Sequence, residues 1–308
     1  MPNTASIFMV RPFAFHSNPQ TRNSNAFQKP ESENDQDIAK LSQTEFDNMV
    51  NILKLEGVQV LVFQDPGDRN TPDSLFPNNW ISFHEDGKVI LYPMEAENRR
   101  QERRWDLVEE LLIKNGFLVH SITDLSHFES RNHFLEGTGS MVLDREHKLA
   151  YACISSRTHK EVLDDFSSLT GYKTILFHAF DLNKKPIYHT NVLMCVGTGF
   201  VLICLDSIID PEEKLVVQNT IKHAKKELIE ISLEQMNHFV GNMLEIKNFQ
   251  GESLLVLSQD AFDSLTKEQN AILSGFARLI PVPLYTIEKN GGGSARCMMA
   301  EIHLPKSN

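Results

Sequence analysis

Long hydrophobic runs are missing from this sequence. No apolar stretch approaches the roughly 18 residues of a membrane-spanning helix. The start, MPNTASIFMVRP, has neither the basic leader nor the apolar length of a secretory signal. Both absences make a cytoplasmic protein the expectation. An excess of basic residues is missing as well: 30 Lys and Arg stand against 41 Asp and Glu, a formal net charge of -11. Nucleic acid and anionic membrane each need a basic face, so neither is expected as a main partner. Cysteine is scarce. Cys153, Cys195, Cys204 and Cys297 form no C-x-x-C, which excludes a zinc knuckle or a thioredoxin-like centre. Nucleotide signatures are absent too. "GTGSMV" (137–142) and "GTGFVL" (197–202) lack the third glycine of a dinucleotide fingerprint and run into strand-like segments. "HEDGK" lacks the second histidine of a zincin helix, and "GGSAR" lacks the last glycine of a nucleophile elbow. There is no P-loop, so a nucleotide-dependent enzyme is not expected.

What is present is alternation. The chain has 308 residues, enough for a large core. Short apolar or β-branched runs recur along it: "SIFMVRP", "VQVLVF", "WISFH", "KVILYP", "GFLVHSI", "GSMVLD", "LAYACIS", "KTILFHAF", "NVLMCVGTGFVLICL", "NMLEI", "SLLVLS", "RLIPVPL" and "CMMAEIHL". Amphipathic helices are predicted between them over about 37–55, 98–115, 157–169, 211–228 and 259–277. Residues 16–36 are polar and turn-rich and read as a loop. No other stretch resembles a linker, so 1–308 is expected to be one domain.

The alternation has a period. Asn79, Glu136, His189, Asn242 and Cys297 each stand beside a strand-like run, 57, 53, 53 and 55 residues apart. Such spacing suggests repeated units. A ring of about five β-β-α-β units would bring the ends of its inner strands to one centre, and with them a glutamate, a histidine and a cysteine distant in sequence. Cys297 differs from its three fellows. Those lie in apolar runs and read as small core side chains. Cys297 follows three glycines and Arg296, where backbone can approach a ligand and a cation favours a thiolate. By local sequence alone it also fits a buried cysteine opening a C-terminal strand.

The ordered set "FPNNW", "NRRQERR", "LEGTG", "ISSRT", "YHTN" and "GGGSARCM" resembles the pentein superfamily of guanidine-modifying enzymes, which includes arginine deiminases, dimethylarginine hydrolases and amidinotransferases. The nearest subgroup by this resemblance is the amidinotransferase-like proteins of citrulline utilisation. It implies a five-bladed α/β propeller with pseudo-fivefold symmetry. It also implies a covalent mechanism that requires no metal or organic cofactor: Cys297 as nucleophile, His189 as general acid and base, and Glu136 holding the guanidine. Arg157 matches a substrate-carboxylate contact, and Arg99 or Arg100 a second one. Asn79 and Asn191 stand where deiminases carry aspartates. A glycine replaces another deiminase arginine, for which Arg296 is a substitute. Asn242 is a further pocket candidate, as are His84 and Phe76 at the mouth.

These features imply a hydrolase for a small guanidino or ureido amino acid. An amidinotransferase is the alternative, and from another class a non-catalytic binding protein on the same propeller. A homo-oligomer is left open. With Glu136 as the one expected anion, the two asparagines suit a neutral ureido group at least as well as a guanidinium. The competing arrangement has Asp65, Asp68 or Asp73 reaching in from the preceding loop.

Overall fold

The computed structural model describes residues 3–28 and 34–307. Among them, strands form five separate three-stranded sheets, all built to one plan. The first pairs β1 (Ser6–Arg11) in parallel with β2 (Gln59–Gln64) across the helix Asp35–Leu55. In each later sheet an inner strand precedes a middle strand antiparallel to it. The middle strand then pairs in parallel, through a helix, with an outer one. The sets are β3 (Ile81–Phe83), β4 (Lys88–Leu91) and β5 (Ser121–Asp124), then β6 (Val142–Asp144), β7 (Leu149–Cys153) and β8 (Lys173–Phe177). They continue with β9 (Met194–Val196), β10 (Phe200–Ile203) and β11 (Glu227–Glu230), and with β12 (Leu244–Lys247), β13 (Ser253–Ser258) and β14 (Arg278–Val282). The two ends of the chain complete the remaining sheet. β15 (Ala300–Glu301) lies antiparallel to β1, with Ile7 opposite Glu301. Five like modules match the five-bladed α/β propeller that the resemblance implies.

Local chemistry explains the helices. Asn34 caps Asp35–Leu55 by accepting from the Gln36 N–H, and Ile38, Ser42, Phe46, Met49, Val50 and Leu53 form its buried stripe. Asp210 caps Pro211–His223 by accepting from the N–H groups of Glu212 and Glu213, with proline at the first turn. Aromatic rings join neighbouring modules. Phe8 of β1 meets Trp80 and Phe83 edge-on, at 6.3 and 6.1 Å between centroids.

Several boundaries differ from the sequence expectation. The helix expected over 98–115 is two helices, Glu97–Arg100 and Trp105–Lys114. Between them Arg103 and Arg104 reach Glu129 and Asp68 instead of continuing a solvated face. The helix expected over 259–277 divides at Thr266, which forms a capping box with Gln269 and starts Lys267–Phe276 afresh. The helix expected to 228 ends at His223. Lys225 then takes a left-handed conformation (φ 55°), and "ELIE" becomes β11 beside β10. The run "GFLVHSI" yields a strand only from Ser121. No helix among the described residues is long and apolar enough to cross a membrane.

Candidate active site

A tight turn precedes every inner strand. The 3-10 turn Pro77–Asn79 leads into β3. Glu136 immediately precedes the helical turn Gly137–Ser140 before β6, and His189 immediately precedes Thr190–Leu193 before β9. Asn242 lies two residues before β12, and Cys297 sits in the 3-10 turn Ala295–Met298 before β15. The five periodic residues therefore occupy equivalent places in five modules, which is why distant sequence positions converge.

Glycine makes the convergence dense. A Cβ on Gly137, whose φ is +47°, would stand 2.3 Å from the Asn78 carbonyl oxygen. One on Gly139 would lie 2.4 Å from the Asn79 amide nitrogen and 2.8 Å from Nδ1 of His189. "GTG" at 137–139 thus packs three turns together and cradles no phosphate. At the other end of the chain, Gly292 (φ +60°) closes against Asn25.

Cys297, His189, Asn79, Asp73, Arg99, Arg157, Tyr188 and Phe76 line one pocket, with Thr21, Asn25 and Gly291–Gly293. Cys297 is 4% exposed. Its sulfur accepts from the side-chain amides of Asn242 at 3.2 Å and Asn191 at 3.4 Å. Asn242 also donates to the Asn191 carbonyl and accepts from the Arg296 N–H, so it is locked behind the sulfur. Nε2 of His189 lies 2.9 Å from Oε2 of Glu136. Burial pushes His189 down, to about 4, despite that carboxylate, so the imidazole is neutral near pH 7. Burial alone would raise Glu136. The guanidinium of Arg157, the hydrogen bond and charge of His189 and then Arg99 override it and hold the carboxyl well below the usual range.

The two pocket arginines are heavily engaged. Arg99 makes a two-pronged pair with Glu102 at 2.9 and 3.0 Å and donates to Oδ1 of Asn79 at 2.9 Å. It also lies 3.6 Å from Glu136 and 3.7 Å from Asp73. Arg157 donates to Ser24, to the Thr21 carbonyl and to Glu95, sits 3.4 Å from Glu136, and stacks 4.7 Å from the Tyr188 ring centroid.

The remaining expected site residues lie elsewhere. Arg100 donates to the carbonyls of Met94 and Glu95 and stays outside the pocket. The guanidinium of Arg296 turns away, donating to the Met299 carbonyl and to Glu301, so it replaces no substrate contact there. Asn191 and Asn242 face the sulfur, although a substrate-binding role was expected of them. Phe76 lines this pocket, but His84 lines a different cavity. Of the three loop aspartates only Asp73 enters. Asp65 caps its own loop through Gly67 and Thr71, and Asp68 pairs with Arg104. Asp73 accepts from Asn18 through Oδ2, while its buried Oδ1 has no partner among the described residues. Glu136 is thus not the sole anion of the pocket, and the premise for a ureido preference falls. Sequence reasoning also missed the wall formed by Thr21 and Asn25, since a polar loop carries no signal of where it folds back. Asp144, Glu146 and His147 come close enough to hold an ion, but the Lys226 ammonium lies 3.6 and 3.5 Å from the two carboxylates. That charge is already answered.

The profile of the family described as "N,N dimethylarginine dimethylhydrolase, eukaryotic" matches residues 11–304. Among curated proteins no match is found. Among solved structures, the apo form of ArgZ, an arginine dihydrolase from the ornithine-ammonia cycle in cyanobacteria, aligns with a TM-score of 0.74 at 16% identity. That alignment covers 98% of this chain and 41% of ArgZ, so the chain spans about two fifths of that protein's length. The N-terminal domain of ArgZ, a cysteine-to-serine variant bound to substrate, aligns at TM-score 0.73 and 16% identity over 96% of this chain and 97% of the domain. DDAH from Pseudomonas aeruginosa, a cysteine-to-serine variant complexed with citrulline, gives TM-score 0.67 and 15% identity over 98% and 100%. At these identities the structural likeness establishes the fold.

Proposed function

The chain belongs to the N,N-dimethylarginine dimethylhydrolase family of the penteins, hydrolases of carbon–nitrogen bonds, and from that premise we propose that it hydrolyses the guanidino group of an arginine-like amino acid through a covalent intermediate on Cys297. The observation that carries this reading is the grouping of Cys297 with His189, whose imidazole Glu136 holds, at one pocket. Residues 1–308 are taken as one catalytic domain, since the last strand completes the sheet of the first.

The neutral His189 fits a sequence in which protons enter with the reactants. The thiol proton passes to His189 as the sulfur bonds to the central guanidino carbon. His189 then protonates the departing nitrogen, the carbon–nitrogen bond breaks, and ammonia or an alkylamine leaves. Water attacks the sulfur-bound carbon and gives its proton to His189. The carbon–sulfur bond breaks, the thiol regains a proton, and a ureido product remains. Glu136 keeps the imidazole oriented and, with Asp73, offers acceptors to the substrate's N–H groups. The amides of Asn191 and Asn242 steady the sulfur as charge develops on it.

A second reading has the same site hydrolyse its ureido product. Asn79 favours it. Among the described residues, its amide engages Asn78 and Arg99, and it carries no charge to repel a urea oxygen. Arginine, citrulline, agmatine, dimethylarginine and succinylarginine, assayed for ammonia and amine release, test both readings. Dimethylarginine giving dimethylamine supports the first, and citrulline giving ammonia supports the second. Turnover of none of the five would overturn both. Asn79→Asp should shift kcat/KM from citrulline toward arginine. It is a cleaner variant than one that also changes Asn191, which would set a carboxylate against the sulfur.

A further inference from the structure

Arg145 follows directly after β6. Its side chain is 8% exposed and stays charged: burial alone would lower it, but Glu301 and then Tyr172 and Tyr92 raise it. A guanidinium has five N–H donors, and burying it is tolerable only when they are used. Arg99 and Arg157 meet that condition, with bonds to carboxylate, amide, hydroxyl and carbonyl oxygens. Arg145 does not. Its contacts are fewer: Nε approaches Glu301 at 3.5 Å, and the guanidinium also reaches the hydroxyl of Tyr172. Glu301 is shared besides, with Arg296 at 3.2 Å and His303 at 3.2 Å. Arg145 borders a cavity that is separate from the candidate active site.

The cavity's other charged walls are Lys88 and Lys148 with the carboxylates of Glu85 and Asp86, so with Arg145 its cations outnumber its anions by one. Lys148 places its ammonium 4.7 Å from the ring centroid of Tyr172, which also lines the cavity. Lys88 is there too, steadied by Asp86 at 3.2 Å and by the Leu169 carbonyl at 2.7 Å. Burial and Arg145 push His84 down to about 3, so it offers a neutral ring. We infer that this cavity is a second ligand site, which takes the carboxylate of a small organic acid between Arg145 and Lys148. Such an anion supplies the acceptors that Arg145 lacks, and a planar carboxylate matches the guanidinium fork.

The test is calorimetric titration of the full chain with succinate, and separately with inorganic phosphate. Succinate is expected to bind saturably at one site, with affinity at least tenfold weaker in Arg145→Gln and measurably weaker in Lys148→Gln. Arg157→Gln, which alters the candidate active site, should leave that binding in place. No saturable succinate binding, binding unchanged in Arg145→Gln, or binding lost in Arg157→Gln would each overturn the proposal. Tighter binding of phosphate than of succinate would overturn the choice of a carboxylate. If Arg145→Gln does not fold, the exposed Lys148→Gln decides alone, and undiminished affinity there defeats the idea.

Discussion

Glu136 is a buried carboxylate and Glu301 a largely buried one, in similar company. Glu136 lies within 3.6 Å of Arg99, Arg157 and His189. Glu301 lies within 3.5 Å of Arg145, Arg296 and His303. Both carboxyls are held well below their usual range, because neighbouring guanidiniums and a histidine outweigh burial. Each cluster even borders a cavity containing a cysteine, Cys297 in one and Cys195 in the other. Yet the sulfurs live differently. Cys297 takes two asparagine amides. Among the described residues no side-chain amide donates to Cys195, and burial pushes its thiol up to about 12. A carboxylate between arginines is therefore not what marks a reactive centre. The distinguishing features are donors aimed at a sulfur and a histidine that shares its pocket.

The largest effect expected from breaking this contrast is on the sulfurs themselves. Cys297→Ser should abolish turnover while the fold persists, since a hydroxyl at neutral pH lacks the nucleophilicity of a thiolate. Retention of about a tenth of the wild-type rate would remove Cys297 from its role. Cys195→Ser should keep its turnover and lose only stability, about 1–3 kcal/mol for burying a hydroxyl. Iodoacetamide followed by peptide mapping should modify Cys297 well before Cys195, Cys153 or Cys204. Next in size, His189→Ala should lower kcat by about 10²–10⁴-fold, the usual contribution of a positioned acid–base group. His303→Ala should not. Equal losses in the two histidine variants would erase the distinction between the clusters.

Much of this was legible beforehand, for reasons that vary by residue. Strands such as "VLICL" and "SLLVLS" were readable because both faces are buried and the runs are nearly all apolar. The fivefold period was readable because each module repeats the same turn before its inner strand. Arg99 and Arg100 were not separable, because adjacent residues on one short turn point in different directions and only the fold decides which enters the pocket. The same holds for Arg296, which is adjacent to Cys297 but faces Glu301. Asp73 was one of three aspartates on a single loop, and the selection between them is tertiary.

The arginines carry a smaller effect. Arg157→Ala should weaken arginine binding by about 1.5–3 kcal/mol, the worth of a charged hydrogen bond, and should affect agmatine less because it has no carboxylate. KM measured for both compounds decides the matter. Equal weakening would mean that Arg157 serves by holding Glu136 and the Thr21–Ser24 backbone rather than the ligand.

A third buried carboxyl tests why the first two are anionic. Glu288 is 5% exposed and accepts from the hydroxyl of Ser294, just before the Cys297 turn, at 2.6 Å. No arginine is among the groups that shift it. Burial pushes it up to about 8, with Asp260 and Glu45 adding to the rise and the hydroxyls of Ser258 and Ser294 opposing it. The sign of the linkage follows. Between about 4.5 and 8 the folded protein keeps this proton and the unfolded chain has lost it. Stability from Glu288 is therefore complete below the unfolded value and declines as pH rises toward 8, by up to about 1.4 kcal/mol per pH unit. Glu288→Gln mimics the protonated acid at every pH and removes that slope. Melting temperatures of the two proteins should nearly coincide at pH 5, and the variant should be the more stable at pH 8. Parallel curves would mean that Glu288 is ionised in the fold without a guanidinium, and the account given for Glu136 and Glu301 would lose its control.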